Sequence, residues 1–322
     1  MRSIALFLRK GRTNEHSLPE IRREVAKCGS ISKAAEKLFV AQPNISRAIK
    51  ELEGSLGITI FERNAKGMSL TPDGERLMRY AGGILTQIEE VEEVFRDGES
   101  KKLKFSISVP RASYISRAFA EFTTKLPTDA PAEILYKETN ALRAINNVLN
   151  SSYRLGIIRY AERHDRYFKD MLEEKGLAYE LVTEFSYRLI FHREHPLATK
   201  ETITEADLTK YLEIAHADPF VPSLPLAEVR KEELSEGGNR RVFVFERASQ
   251  FDILSVNKEA YMWVSAVPED LLARYDLVER KCADHQKIYK DMLIRQSGYR
   301  LSSLDKAFIT ELCNARRKYL SE

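Results

Sequence analysis

The 322-residue sequence lacks the marks of a secreted or membrane-bound protein. Its three cysteines, Cys28, Cys282 and Cys313, are odd in number and widely spaced, so no disulfide framework is predicted. No stretch approaches the roughly 20 apolar residues of a membrane span. The apolar run from Ile4 to Leu8 is shorter than the roughly 7–15 residues of a secretory signal core. We therefore expect a cytoplasmic protein with no membrane partner, and a poorly ordered leader over residues 1–17.

The usual short signatures of enzymes are also missing. The sequence contains no GxSxG, GxxxxGK[ST] or GxGxxG motif, which would mark a nucleophile or a phosphate-binding loop. His192 and His195 lie three residues apart, but they have no Cys or carboxylate partner at a metal-ligand spacing. The sequence therefore predicts no catalytic residue, no metal site and no cofactor.

The net charge of +3 hides an uneven distribution along the chain. Residues 1–70 carry a net charge of +6, residues 71–100 carry −5, and the remainder carries +2. Neutralisation of nucleic-acid phosphates requires such a basic excess. Residues 1–70 are therefore the expected location of a nucleic-acid site. If the leader at 1–17 is not simply poorly ordered, the alternative is that it forms a basic arm that contacts the DNA backbone.

Residues 18–70 show the pattern of a helix-turn-helix with a wing. A first helix is expected at Leu18 to Lys27. Two further helices are indicated by two runs of apolar residues at helical spacing, separated by a turn at Phe39 to Ala41. The first run contains Ile31, Ala34, Ala35 and Leu38, and the second contains Ile45, Ile49, Leu52 and Leu56. Gly57 is the expected C-cap. Strands at Ile58 to Phe61 and Ser69 to Leu70 would form the wing. The alternative is a small helical core with a solvated polar face, which leaves the wing and the basic side chains unexplained.

Residues 71–97 are predicted to form one long helix. Thr71, Pro72 and Asp73 supply a hydroxyl cap, a proline in the first turn and a carboxylate near the positive end of the helix dipole. Apolar residues then alternate at spacings of four and three, as in a coiled-coil seam made of Leu77, Ala81, Ile84, Ile88, Val91 and Phe95. This is the pattern of a two-helix coiled coil, and the alternative is a single helix packed on its own domain. A hinge is expected at Gly98 to Lys102.

From residue 103 onward, short β-type runs alternate with helical stretches. The predicted strands are Lys104 to Val109, Glu133 to Tyr136, Leu155 to Ile158, Tyr187 to His192, Leu212 to Ala215, Val242 to Phe245, Tyr261 to Ser265 and Asp291 to Arg295. Helices are expected at Ser116 to Lys125, Ala141 to Asn150 and Leu304 to Tyr319. This alternation predicts an α/β domain with a largely parallel sheet.

The N-terminal motif resembles the signature of the LysR-type transcriptional regulators. The run KAAEKLFVAQPNISRAIKELEGSLGITIFER, followed by LTPDGE, is similar to that signature at nearly every position. The chain departs from it at Ala41, where Ser is usual at the N-cap, and at Asn64, where Thr is usual. The resemblance implies a winged helix-turn-helix at 18–70 and a dimerisation linker helix at 71–97.

The resemblance also implies the architecture of the remaining chain. Family effector domains are similar to periplasmic binding proteins, with two subdomains around a ligand cleft. On that template residues 103–322 form an effector-binding domain, with subdomain I at about 103–180 and 267–322 and subdomain II at about 181–266. Gly156 departs from the family, whose members commonly have Asp there.

Two sets of site residues follow. The expected contacts to DNA bases or phosphates are Ser32, Lys33, Gln42, Pro43, Asn44, Ser46, Arg47, Lys50, Arg63 and Lys66. Ligands of α/β folds bind at the carboxyl ends of strands, which makes Ser113, Tyr114, Thr139, Asn140, His216, Asp218 and Ser265 the candidates for effector binding. A small carboxylate is the ligand type that the resemblance implies.

The sequence thus favours a LysR-type regulator of the α/β class, which binds promoter or operator DNA as a homodimer or homotetramer and responds to a small-molecule effector. The alternative is a small-molecule-binding protein or enzyme on a two-lobed α/β fold, whose N-terminal helices serve assembly only. Affinity for duplex DNA at low salt distinguishes the two, because only the regulator is expected to have it.

Overall fold

The computed structural model describes residues 35–36, 41–64, 67–77, 80, 102–150, 152–220 and 240–320. The chain divides into two compact units close to residue 100. Within the described ranges, no helix has both the length and the apolar composition that crossing a membrane demands. The leader at 1–17, the first predicted helix and the end of the predicted linker helix lie outside these ranges.

The first unit is built around helix α1, Gln42–Leu56. Ile45, Ile49 and Leu52 are buried on one face of this helix, as the spacing of its apolar residues predicts. Gly57 ends α1 in the left-handed conformation, at φ 66°, and its N–H donates to the carbonyl of Glu53. The helix therefore ends at the predicted C-cap, with glycine in a conformation that other residues adopt at a cost.

A two-stranded wing follows α1. Strands β1, Phe61–Asn64, and β2, Gly67–Leu70, pair antiparallel. The first strand begins later than the predicted Ile58 to Phe61. The reason is that the Glu53 carboxylate accepts the backbone N–H of Ile60 at 2.6 Å, which ties this stretch to α1 before strand pairing begins.

The predicted start of the next helix is confirmed over residues 72–77. The Thr71 hydroxyl accepts the backbone N–H of Gly74 at 2.9 Å, which satisfies one donor of the first turn. Leu77 is described, but the other residues of the predicted seam, Ala81, Ile84, Ile88, Val91 and Phe95, lie outside the described residues.

The second unit contains two sheets and their flanking helices. In chain order its elements are β3 Leu103–Val109, α2 Ser113–Thr123, β4 Ala132–Glu138, α3 Ala141–Leu149, β5 Leu155–Ala161, α4 Asp165–Glu174, β6 Leu177–Ser186, β7 Arg188–His192, α5 Glu205–Leu208, β8 Leu212–His216, β9 Arg241–Val244, α6 Arg247–Val256, β10 Ala260–Val264, α7 Glu269–Arg274, β11 Leu277–Arg280, β12 Ile288–Gln296 and α8 Ser303–Leu320. The first lobe has the sheet β4-β3-β5-β12-β6, and the second lobe has the sheet β11-β7-β10-β8-β9.

The α/β class is confirmed, but the prediction of a largely parallel sheet is wrong. In the first lobe β3 pairs parallel with β4 and β5, whereas β12 pairs antiparallel with β5 and β6. In the second lobe β7 pairs antiparallel with β10 and β11, whereas β8 pairs parallel with β9 and β10. Antiparallel pairing occurs at the strands where the chain passes directly from one lobe to the other, because parallel pairing of consecutive strands needs a crossover connection such as a helix.

The chain changes lobes later than the predicted 181 and 267. Strand β6 ends at Ser186 in the first sheet and β7 begins at Arg188 in the second, so the first passage is at Tyr187. The return lies between β11 and β12, at residues 281–287. Strand β6 escapes sequence prediction because it is mostly half-exposed or exposed and carries charged residues among its apolar ones.

The core of the first lobe lies between its sheet and helices α2 and α8. Phe105, Phe122 and Phe308 are buried there, with ring centroids 4.7 to 5.9 Å apart. Nearby, Gly156 has no space for a side chain, because a Cβ there would lie 2.9 Å from Ile294 Cγ1 and 3.0 Å from Val148 Cγ2. These two side chains leave no room for an Asp side chain at this position.

Candidate functional site

Helix α1 presents a polar and basic face to solvent. Arg47 and Lys50 are exposed on the side opposite the buried apolar residues. The other predicted contacts of this helix are exposed or half-buried, and they are Gln42, Pro43, Asn44 and Ser46. The Gln42 amide donates to the Ser46 hydroxyl at 2.7 Å, which holds these two side chains together on the surface. This helix therefore offers several hydrogen-bonding groups and two cations on one accessible face.

The start of α1 has no side-chain cap. Ala41 occupies the N-cap position, and only its backbone carbonyl takes part, accepting the Asn44 N–H at 2.9 Å. Ala41 thus leaves the start of α1 without the hydroxyl cap that Ser would supply. Amide groups in the first turn of a helix with no side-chain cap can donate to an anion such as phosphate.

The wing is held close to α1 and to the helix that follows. A Cβ at Gly74 would lie 2.2 Å from the backbone oxygen of Ile60, so only glycine permits this approach. Arg63 on β1 is exposed, as its predicted role requires. Ser32, Lys33 and Lys66, the other predicted DNA contacts, lie outside the described residues.

In the second unit, a cavity of about 130 Å³ lies between the two lobes. It is found where the carboxyl ends of β3, β4 and β8 meet, as the rule for α/β folds leads one to expect. Four of the predicted effector residues line it, namely Thr139, Asn140, His216 and Asp218. Aromatic side chains form much of the remaining wall, and these are Tyr160, Tyr187, Phe220 and Tyr289.

Three predicted effector residues lie elsewhere. Tyr114 is fully buried, and its hydroxyl donates to the Asp291 carboxylate at 2.5 Å. Burial and the Asp291 charge raise the pKa of Tyr114 well above its usual range, so it stays protonated as a donor. Ser113 is the buried first residue of α2, and Ser265 is buried just after β10. Helix and strand ends thus point these side chains into packed regions instead of the cavity.

Asp218 is the most connected residue of the cleft. Its carboxylate accepts hydrogen bonds from Arg111 at 2.9 Å and from Arg143 at 3.0 Å. The Asn140 amide donates to the backbone oxygen of Asp218 at 3.1 Å. Arg111 also donates through Nε to the carbonyl of Phe245 at 2.6 Å. Because Asp218 and Phe245 belong to the second lobe and the donors to the first, these bonds join the lobes.

Two further groups of polar contacts cross the cleft. Arg247 of the second lobe donates to Glu138 and to the Ser116 hydroxyl of the first, each at 2.7 Å. Arg117 of the first lobe pairs with Asp270 of the second. The lobes are therefore joined by ion pairs at several points, of which the one at Asp218 borders the cavity.

Arg159 also lines the cavity, although it is not among the effector-binding residues predicted from the sequence. It forms a two-pronged ion pair with the fully buried Asp291, at 2.8 and 2.7 Å, and its guanidinium lies 4.6 Å from the ring centre of Phe185. The sequence did contain a signal for this pair, because Arg159 and Asp291 each lie within a strand that is otherwise rich in apolar residues. Such charges occur in buried strands chiefly as pairs.

His216 contributes an imidazole that is neutral at ordinary pH. Burial, with the nearby Arg111 charge, lowers the pKa of His216 to about 3. Its buried Nδ1 atom has no hydrogen-bond partner among the residues that the structure describes. The residue lines the cavity, so its neutral ring can contact a ligand there.

His192 and His195 serve a local turn. The Nδ1 atom of each accepts a backbone N–H at 3.0 Å, from Glu194 and from Leu197 respectively. Burial lowers the pKa of His195 to about 4, so its ring is neutral. These contacts account for both histidines as structural residues.

The N-terminal part of the chain is similar to known bacterial regulatory proteins. Residues 20–75 match the family model described as "Bacterial regulatory helix-turn-helix protein, lysR family". The HTH-type transcriptional regulator CzcR of Bacillus subtilis (strain 168) is 32% identical over 148 residues, which are 44% of this chain and 51% of that protein. The chain thus spans about half the length of this curated relative.

Two solved structures share the fold of nearly the whole chain. ArgP from Mycobacterium tuberculosis is 17% identical with a TM-score of 0.59, covering 98% of this chain and 96% of that one. Full-length LysG from Corynebacterium glutamicum with bound effector Arg is 16% identical with a TM-score of 0.56, covering 95% and 97%. Residues 20–75 are therefore similar to the helix-turn-helix domain of the lysR family, and the chain shares the fold of ArgP and LysG over nearly its whole length.

Proposed function

We propose that the protein is a ligand-responsive transcriptional regulator that binds promoter or operator DNA through α1. The observation that carries this proposal is the exposed basic and polar face of α1, set over a buried apolar face, within the segment that matches the lysR-family model. Such a helix can enter the major groove of DNA and present its free side chains to base edges.

The DNA contacts divide by chemistry. Arg47, Lys50, Gln42 and Asn44 have the donors and acceptors that read base edges or hold phosphates. Arg63 on the wing, with Lys66, adds contacts to the backbone. The start of α1, which has no hydroxyl cap at Ala41, can offer the Gln42 N–H to a phosphate oxygen. Ser32 and Lys33, which belong to a helix predicted from the sequence, complete the proposed interface.

Pairing of two chains through the seam of the linker helix would place two copies of α1 on one face of the DNA. The LysG structure, similar in fold, carries a bound effector according to its description. In this chain we assign the effector to the cavity between the lobes. A ligand that binds one arrangement of the lobes better than another would change how the paired α1 helices meet the DNA.

A gel-shift titration of Arg47→Ala tests the assignment of α1. With duplex DNA from the region upstream of the gene, the loss of a base contact should weaken binding by about 1–3 kcal/mol. Arg166→Ala is the matched control, because Arg166 is almost fully exposed on α4 and the charge change is the same. Equal affinity of both variants and the unaltered protein would contradict the assignment.

The alternative of a small-molecule-binding protein or enzyme gives a different result in the same experiment. It predicts that the full chain is not retained on duplex DNA even at low salt. Binding at low salt that disappears in Arg47→Ala separates the regulator from this alternative.

A further inference from the structure

The donors around Asp218 form a carboxylate-binding site that the chain fills by itself. Two guanidinium groups, from Arg111 and Arg143, donate to the two oxygens of one carboxylate at 2.9 and 3.0 Å. The side chains of Arg111 and Asp218 are 9% and 12% exposed, so this charge pair is largely removed from water. Two arginines on one carboxylate are the arrangement by which proteins bind acidic ligands.

The donors and the carboxylate belong to different lobes. Arg111 follows β3, Asn140 follows β4, and Arg143 lies in α3, all in the first lobe. Asp218 follows β8 in the second lobe. Arg111 also donates to the Phe245 carbonyl, so it keeps a contact at the cleft if Asp218 leaves, and a free anion can then take the place of Asp218.

We propose that Asp218 is a built-in competitor for the acidic group of the effector. This inference rests on the proposed function, because it concerns the ligand of the same cleft. In the ligand-free protein Asp218 occupies the Arg111 and Arg143 donors and joins the lobes. An effector with a carboxylate takes these donors and releases Asp218, which removes this link between the lobes.

A tethered competitor also sets the specificity of the site. Because Asp218 is part of the chain, its effective concentration at the arginines is high, and a simple carboxylate competes poorly with it. An effective ligand needs a second contact. His216 is a candidate for it, because its neutral imidazole lines the same cavity and can accept a hydrogen bond. The inferred ligand class is therefore a small carboxylate with a hydrogen-bond donor, such as a hydroxyl or amine group.

The effect on the lobes follows from the other contacts. The Arg247 contacts to Glu138 and Ser116 do not include Asp218. Release of Asp218 would therefore break one join and leave another in place. Such a change favours rotation of the lobes about the remaining contacts over full separation.

Asp218→Asn, studied in the full-length chain with lactate as probe, tests the inference. Lactate carries a carboxylate and a hydroxyl donor, and lactamide is its neutral analogue. Removal of the competing charge leaves two cations short of a partner, so the variant should bind lactate about tenfold or more tightly than the unaltered protein in calorimetry. Lactate, but not lactamide, should also restore the thermal stability that the variant loses.

Asp270→Asn is the matched control, because Asp270 also pairs with an arginine across the lobes but is half exposed and away from the cavity. It should show no gain in lactate affinity. Failure of Asp218→Asn to bind lactate more tightly, or equal rescue by lactamide, would overturn the inference. The outcome is independent of the gel shift, so a lack of DNA binding would refute the proposed function and leave the competitor role to be decided by the lactate result.

Discussion

The face of α1 and the cleft of the second unit both carry arginines, but they hold them in opposite ways. Arg47 on α1 is exposed to solvent. Arg111 and Arg159 in the cleft are largely buried, and each is paired with a carboxylate of the chain. A surface for a large polyanion can keep its cations hydrated until binding, because counterion release supplies much of the affinity. A small buried site must satisfy its charges in the absence of ligand.

The largest expected difference between the two regions is in stability. Asp291→Asn removes the partner of the buried Arg159 guanidinium and should lower the free energy of unfolding by about 3–5 kcal/mol. Arg47→Ala on the exposed face should change it by less than about 0.5 kcal/mol. Urea unfolding of the two variants measures both values. Similar losses in the two variants would remove the contrast between the regions.

His216 in the cleft should contribute to the pH dependence of stability. The pKa of His216 is about 3 in the folded chain, below its ordinary value of 6.5. As the pH falls from 6.5 towards 3, the unfolded chain takes up a proton that the folded chain does not, so stability is complete above this range and is lost within it. The expected loss is about 1.4 kcal/mol per pH unit for this histidine.

His216→Asn has no titrating ring and should lose stability less steeply over the same pH range. Urea unfolding between pH 6.5 and pH 4 for the variant and the unaltered protein provides the comparison. Identical slopes would show that His216 does not stay neutral in the folded cleft.

In the first unit, the close approach of the wing makes a prediction of intermediate size. Gly74→Ala places a methyl group within 2.2 Å of the Ile60 oxygen, and the shift it forces should cost about 1–3 kcal/mol. Gly54→Ala is the control, because a Cβ there meets no atom within 4 Å and lies in the interior of α1. That control should stabilise the helix slightly. Urea unfolding with a probe in the first unit measures both, and the reverse order of stabilities would contradict the described packing.

The smallest expected effect is at the start of α1. Ala41→Ser supplies the missing hydroxyl cap and should stabilise the helix by about 0.5–2 kcal/mol. Hydrogen exchange of the amides in the first turn should then become slower. Unchanged exchange would mean that these amides are already protected in the unaltered protein.

The contrast between the regions also explains what the sequence could predict. Helix α1 is a continuous segment, and its apolar spacing together with Gly57 was enough to place its face and its end. The cleft is assembled from residues between Arg111 and Tyr289, which meet only because the chain passes twice between the lobes. The end-of-strand rule located Thr139, Asn140, His216 and Asp218 at the cavity. It could not exclude Tyr114, because the burial of that side chain depends on its bond to the distant Asp291.

The salt dependence of duplex binding by the full-length chain tests DNA recognition through α1 most directly. A fluorescent duplex from the upstream region would be titrated at a series of salt concentrations. The account predicts binding whose logarithmic affinity falls linearly with the logarithm of salt concentration, with a slope of about −0.9 for each phosphate contacted, and a shallower slope or weaker binding for Arg47→Ala. An absence of binding at the lowest salt concentration would contradict it.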